Sequence, residues 1–117
     1  MYVDGFVTPV ARAKLDAYRR HAEQTAPLWK KHGATRYVEC VADDVPSGKL
    51  TSFPQAVMLG EDEVVVLAWV TYPSREVRDR CLAAVMQEPA IRDMKPEDWP
   101  FDGKRMFWGG FESLVTL

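Results

Sequence analysis

The chain has 117 residues and a formal net charge of −2 at pH 7. Its hydrophobic content of 47% is enough for the core of one domain and excludes an intrinsically disordered protein. Two cysteines are too few for a disulfide scaffold. The acidic balance argues against nucleic-acid binding, which requires a basic face.

The longest apolar run, Val64–Val70, is far shorter than the roughly 20 residues that a membrane span requires. No positively charged segment followed by an apolar one opens the sequence. We therefore expect a cytoplasmic protein of a single domain, residues 1–117, that does not insert into membranes.

The first third of the chain predicts a strand followed by a helix. Tyr2–Val7 has the character of a strand, which we expect to end before Pro9 because proline has no N–H for a sheet. Apolar residues then recur every three or four positions over 11–32, which predicts an amphipathic helix that stops at Gly33. Pro27 is expected to kink this helix or to split off its last turn.

Residues 34–42 alternate with a period of two, which indicates a second strand. We expect Val38 and Cys40 to lie on its core face, with Tyr37 and Glu39 on the opposite face.

Residues 43–60 are rich in turn formers and show no sustained period. A connection of this length is often functional, so the segment is a candidate lid over a ligand. A solvated loop or a small hairpin is the simpler interpretation.

The second half of the chain repeats the strand and helix pattern. Glu63–Tyr72 is an apolar strand, and Ser74 is positioned to cap a helix that ends at Pro89. A last strand is predicted over Lys104–Phe111, and Leu114–Leu117 could pair as well.

The predicted order is β-α-β-β-α-β, which indicates an α+β ferredoxin-like sandwich with both helices on one face of an antiparallel sheet. The uncovered face should then be polar, yet strand 63–72 is apolar throughout. Two helices cannot cover both faces of such a sheet. We therefore expect a homodimer in which two sheets pack face to face.

No phosphate-binding loop, dinucleotide fingerprint or nucleophile elbow is present, so the sequence predicts no cofactor. No metal is predicted either, since neither Cys40 nor Cys81 has a ligand at metal-binding spacing. His21 lies at the border of the first helix's apolar stripe, where a pocket between helix and sheet would open. It is a weak candidate for a proton carrier, and a boundary residue is the simpler interpretation.

Five residues are candidates for binding a ligand. Trp29 and Trp69 could line one apolar cavity, although core packing explains them equally well. Tyr37, Glu39 and Arg105 are polar residues of predicted strands. Glu39 and Arg105 could form an ion pair across or within a dimer interface, a structural role that we favour over catalysis.

Five stretches of the sequence form a recognisable set: MYVDGF (Met1–Phe6), YVECVADDVP (Tyr37–Pro46), GKLTSFP (Gly48–Pro54), PFDGKRM (Pro100–Met106) and GGF (Gly109–Phe111). Together they resemble the YbaA-like family of bacterial proteins of unknown function. The resemblance implies the dimeric α+β barrel superfamily, which includes cofactor-independent monooxygenases, haem-degrading enzymes and small-molecule isomerases. It also implies a cavity between sheet and helices, near His21 and Trp69.

The haem-degrading relatives carry a histidine on the helix after the third strand. The corresponding helix, 74–88, has none, which argues against haem. The family brings no catalytic residue to carry over.

Three functions follow as hypotheses. The first is a homodimer that binds a small, partly apolar ligand. The second is an enzyme resembling the cofactor-independent monooxygenases, in which Trp69 and Tyr37 hold the substrate and His21 moves a proton. The third is a structural or protein-binding role, which an interior filled by side chains would favour.

Overall fold

The computed structural model describes residues 1–117 and contains four strands, four α-helices and two short 3₁₀ turns. In chain order they are β1 (Tyr2–Ala11), a turn (Arg12–Lys14), α1 (Leu15–Lys31), β2 (Arg36–Val41), α2 (Phe53–Ala56), β3 (Glu63–Tyr72), α3 (Arg75–Val85), α4 (Pro89–Arg92), a turn (Pro96–Asp98) and β4 (Phe107–Glu112).

The strands form one antiparallel sheet in the order β2-β3-β1-β4. Helices α1 and α3 pack against the same face of this sheet. The predicted α+β ferredoxin-like fold is therefore confirmed. The buried core lies between this face and the helices, in two clusters: Ala34, Val70, Tyr72, Cys81 and Val85, and Val10, Tyr18, Val64 and Val66.

Strand β1 continues through Pro9, beyond its predicted end. Strand β4 pairs with β1 only over Tyr2–Val7, so the rest of β1 has a partner on one side alone. The backbone N–H of Arg12 donates to the backbone carbonyl oxygen of Asp62, on the side of β1 that faces β3. Because backbone N–H groups alternate in direction along a strand, the nitrogen of Pro9 points to the opposite side, which has no partner strand. Proline is tolerated there because no hydrogen bond is lost.

Helix α1 runs without interruption through Pro27, so the prediction of a separate last turn was wrong. Gly33 follows the helix with a φ of +119°, a conformation that favours glycine and ends helices. A Cβ at this position would come within 2.9 Å of Val77 on α3. The close approach of α1 and α3 therefore also requires glycine here. None of the helices is both long enough and apolar enough to cross a bilayer.

The faces of β2 are opposite to those predicted. Tyr37 pairs in register with Val70, and Glu39 with Ala68, so both lie on the face that the helices cover. Val38 and Cys40 lie on the open face. A period of two shows which residues share a face, but the position of the helices decides which face is covered.

The open face of the sheet is largely apolar. Leu67 on β3 is 37% exposed, and Phe107 and Phe111 on β4 are 41% and 64% exposed. The face is covered only at one end, where α2 lies against β3 and Pro9 and Val65 are buried.

The C-terminal strand begins later than predicted, at Phe107, and residues 114–117 form no strand. Arg105 therefore belongs to the turn before β4.

Candidate functional site

A cavity of about 430 Å³ lies between the covered face of the sheet and the helices. Most of its lining side chains are apolar or aromatic: Phe6, Tyr18, Trp29, Tyr37, Ala68, Leu82, Met86, Ile91, Met94, Trp99, Phe101, Met106 and Trp108. The remaining four are Thr8, His21, Thr25 and Glu39. The cavity has the size and character of a small-molecule site.

The small side chain of Ala68 helps to explain why the cavity exists. Ala68 lies on the central strand β3, between Glu39 on β2 and Phe6 on β1. Its neighbours on the same face of β3 are Val66 and Val70, which are buried in the core. Because the side chain of alanine is smaller than that of valine, Ala68 leaves space above the sheet that becomes part of the cavity.

Glu39 accepts hydrogen bonds from two tyrosines at the cavity wall. The hydroxyl of Tyr18 donates to Oε1 at 2.6 Å, and the hydroxyl of Tyr37 donates to Oε2 at 2.9 Å. Helix α1 supplies Tyr18, and β2 supplies Tyr37 together with Glu39. No lysine or arginine forms an ion pair with Glu39, so a half-buried carboxyl group faces an apolar cavity without a counter-ion.

Burial raises the pKa of Glu39 above its ordinary value, and the two tyrosine hydroxyls oppose the shift because they stabilise the anion. Burial also raises the pKa of Tyr18 and of Tyr37, and the Glu39 carboxyl adds to the shift. The tyrosines therefore remain hydrogen-bond donors, and Glu39 is the group of this cluster that can change its charge.

His21 lines the same cavity, at the border position that its helical spacing predicts. Its ring lies 6.3 Å from that of Phe101, and burial lowers its pKa. The neutral imidazole is therefore favoured.

The two tryptophans of the predicted cavity lie on opposite sides of the sheet. Trp29 lines the cavity and meets Tyr37 edge to face, with ring centres 5.4 Å apart. Trp69 pairs in register with Gly5 and Val38 and points to the open face. The prediction that both line one cavity was wrong, because alternation along β3 places Ala68, and not Trp69, under the helices.

Arg105 does not pair with Glu39. Its guanidinium binds Glu63 at 2.6 Å and Asp102 at 2.8 Å, and it also donates to the carbonyl oxygens of Val57 and Met58. The predicted Glu39–Arg105 pair was therefore wrong: Arg105 anchors the end of the 43–60 segment instead.

The cavity is closed by residues 89–106 and not by the 43–60 segment, which contributes no lining residue. Phe101 meets Tyr18 edge to face at 5.9 Å, and Trp99 stacks on Phe101 at 5.4 Å. The expectation of a lid at 43–60 was wrong, since its helix α2 lies against β3 and Val57 is fully buried. The aromatic, proline-rich run around Pro100 was the signal in the sequence that could have identified this cover.

A second carboxylate, Asp4, lies beneath the helices and is completely buried. It binds the guanidinium of Arg78 through both oxygens at 2.8–3.1 Å and accepts a hydrogen bond from Tyr72 at 2.9 Å. The guanidinium also lies over the rings of Tyr2 and Trp108, at 5.2 and 5.6 Å. This cluster was not predicted from the sequence, although an aspartate between apolar strand residues indicates a buried partner.

An outer groove of about 680 Å³ runs between α1 and the edge strand β2. It shares Tyr18, Tyr37 and Glu39 with the cavity, so these side chains form the wall between the two spaces. Arg12 and Arg19 also line the groove, but neither pairs with Glu39.

No three histidine, cysteine, aspartate or glutamate side chains lie close enough together to hold a metal ion. Both cysteines are free, and Cys81 is buried.

Comparisons with known proteins identify both a family and a fold. The family model described as "Protein of unknown function (DUF1428)" matches residues 1–103. The "Uncharacterized protein YbaA" of Escherichia coli strain K12 is 53% identical over 114 residues, which cover 97% of each chain.

Among solved structures, a dimeric ferredoxin-like protein from an uncultured marine organism has a TM-score of 0.67 at 8% identity, over 100% of this chain and 98% of the other. A NIPSNAP domain protein from Burkholderia xenovorans has a TM-score of 0.60 at 11% identity, with the same coverage. At such identities the likeness shows the fold alone.

Proposed function

The chain belongs to the DUF1428 family of proteins of unknown function, and we propose that it is a homodimer that binds a small, largely apolar ligand in the cavity between helices and sheet. The observation that carries the proposal is the cavity itself, about 430 Å³ in volume and lined by aromatic and aliphatic side chains. An interior filled by side chains would instead have favoured a purely structural role.

A neutral fluorescent probe, N-phenyl-1-naphthylamine, tests ligand binding because its emission rises in apolar surroundings. We expect saturable binding to the wild type and loss of binding in Ala68→Met, which fills the cavity floor. The matched control is Ala83→Met on the exposed side of α3. No saturable signal, or equal signals from the two variants with circular dichroism unchanged, would overturn the proposal.

The open sheet face supports the dimer. Its exposed Leu67, Phe107 and Phe111 form a continuous apolar surface with the half-buried Trp69. A surface of this kind is typical of an interface, and a two-fold axis lets the same face cover itself. Two of the solved structures with this fold are described as dimeric ferredoxin-like proteins.

Sedimentation velocity at low micromolar concentration tests the dimer. We expect dimers for the wild type and monomers for Leu67→Glu, because the variant would bury a charge in the interface. Leu50→Glu is the matched control, since Leu50 is 97% exposed outside the sheet. A monomeric wild type, or a dimeric Leu67→Glu variant, would contradict the sheet-to-sheet arrangement.

An enzyme that moves a proton of the bound molecule is the second candidate. Glu39 favours it, because a carboxyl group whose pKa is raised by burial can act as a general base. If Glu39 is the general base, turnover of a confirmed substrate should survive His21→Ala and be lost in Glu39→Gln. Turnover that survives Glu39→Gln would exclude Glu39 as the base.

A further inference from the structure

We propose that the ligand of this cavity carries a cationic nitrogen, an amine or ammonium group attached to an apolar body, and that Glu39 binds it. The inference rests on the proposed binding function and adds the charge of the ligand. The reasons lie in the charges that line the cavity, in the missing counter-ion of Glu39 and in the aromatic rings nearby.

The lining of the cavity contains one acid and no lysine or arginine. His21 is the only other titratable nitrogen, and its pKa is lowered by burial, which favours the neutral ring. The lining therefore holds no permanent positive charge that could neutralise a carboxylate, sulfonate or phosphate of a ligand. Such anionic groups would also be repelled by ionised Glu39.

Glu39 differs from the other partly or fully buried acids of the sheet in lacking a cation. Asp4 binds Arg78, and Glu63 binds Arg105. The two oxygens of Glu39 accept only the hydroxyls of Tyr18 and Tyr37, although a carboxylate has about four acceptor positions. A ligand ammonium group would occupy the remaining positions and provide the missing charge.

Aromatic rings line the cavity together with the carboxyl group of Glu39. Trp29, Tyr37 and Phe101 all line the same space as Glu39. Aromatic faces attract cations, most strongly where water is excluded. The same protein already uses this interaction once, where the guanidinium of Arg78 lies over Tyr2 and Trp108.

Three small probes of similar size test the inference: 2-phenylethylamine, which is cationic, 2-phenylethanol, which is neutral, and phenylacetate, which is anionic. Each is titrated into ¹⁵N-labelled protein while the indole N–H signals of the four tryptophans are followed by NMR. Trp29, Trp99 and Trp108 line the cavity, whereas Trp69 lies on the other face and serves as an internal control.

We expect 2-phenylethylamine to shift the cavity tryptophans with an affinity about tenfold higher than 2-phenylethanol, and phenylacetate to bind most weakly. Glu39→Gln should remove the advantage of the amine and keep the binding of the alcohol. Glu76→Gln, an exposed site on α3 with the same change of charge, should behave as the wild type.

Equal affinities for amine and alcohol in the wild type would overturn the cationic ligand and leave the binding cavity standing. The same conclusion would follow if Glu76→Gln weakened amine binding as much as Glu39→Gln, because the net charge of the protein would then explain the preference for the amine. If none of the probes moved the cavity tryptophans, the proposed function would fail together with the inference. The wild-type comparison does not depend on the folding of any variant.

Discussion

Two carboxylates lie on the covered face of the same sheet, and they differ in how deeply they are buried and in whether a cation binds them. Asp4 on β1 is fully buried, with Arg78 and Tyr72 as partners. Glu39 on β2 is half-buried, and its partners are two tyrosine hydroxyls and no cation. The first carboxylate is neutralised within the protein, and the second faces the cavity without a counter-ion.

The difference indicates which acid is structural and which is available to a ligand. A buried ion pair whose hydrogen bonds are satisfied resists change, because removal of one partner leaves the other charge buried alone. A carboxyl group held only by neutral donors keeps acceptor positions free and a pKa that its surroundings can shift.

The largest effect is expected for Asp4→Asn. The substitution keeps the size of the side chain and removes the buried counter-ion of Arg78, whose side chain is only 11% exposed, so that only the exposed Asp79 still pairs with the guanidinium. We expect the free energy of unfolding to fall by about 3–5 kcal/mol, measured by urea denaturation. A loss below about 1 kcal/mol would mean that the Asp4–Arg78 pair contributes no more to stability than an exposed ion pair does.

An intermediate effect is expected for Gly110→Ala. Gly110 pairs with Asp4 across β1 and β4, and a Cβ there would approach Arg78 Nη2 at 2.4 Å and the hydroxyl of Tyr2 at 2.5 Å. We expect a loss of about 1–3 kcal/mol in the free energy of unfolding, because the guanidinium must move.

The neighbouring Gly109→Ala is the matched control for this substitution. Its Cβ would point to the open face, with Phe111 at an ordinary distance of 3.5 Å. If Gly109→Ala destabilised the protein as much as Gly110→Ala, the loss would reflect the β4 backbone and not the Asp4 cluster.

The smallest effect is a pH dependence of stability that comes from Glu39. The folded state holds the proton of Glu39 to a higher pH than the unfolded state, whose pKa is near the ordinary 4.5. The free energy of unfolding should therefore decrease as the pH rises from 4.5 towards the raised pKa. Glu39→Gln cannot ionise and should lack this decrease.

Urea denaturation of both proteins between about pH 4 and about pH 8 measures the effect as a difference. The other titratable groups that line the cavity or the outer groove with Glu39 are present in both proteins, so their contributions largely cancel; they are Tyr18, Tyr37, His21, Arg12, Asp16, Arg19, Glu23 and Cys40. A difference that is constant over the whole range would show that burial does not raise the pKa of Glu39.

Much of the fold could be predicted from local pattern. Strand β3 has the predicted bounds, Ser74 caps α3 through the N–H of Val77, and Gly33 ends α1. Each of these features depends on residues close together in the chain. The candidate site was predicted only in part: His21, Trp29, Tyr37 and Glu39 line the cavity, and Trp69 and Arg105 do not.

The sequence by itself therefore determined the order of the elements, the ferredoxin-like topology and the apolar character of both sheet faces. Only the tertiary structure decided that the helices cover Glu39 and leave Trp69 on the open face. It also decided that Arg105 pairs with Glu63, and that Asp4 and not Glu39 receives a cation. The physical reason is distance along the chain: periodicity acts within one element, whereas the partner of Asp4 lies 74 residues away.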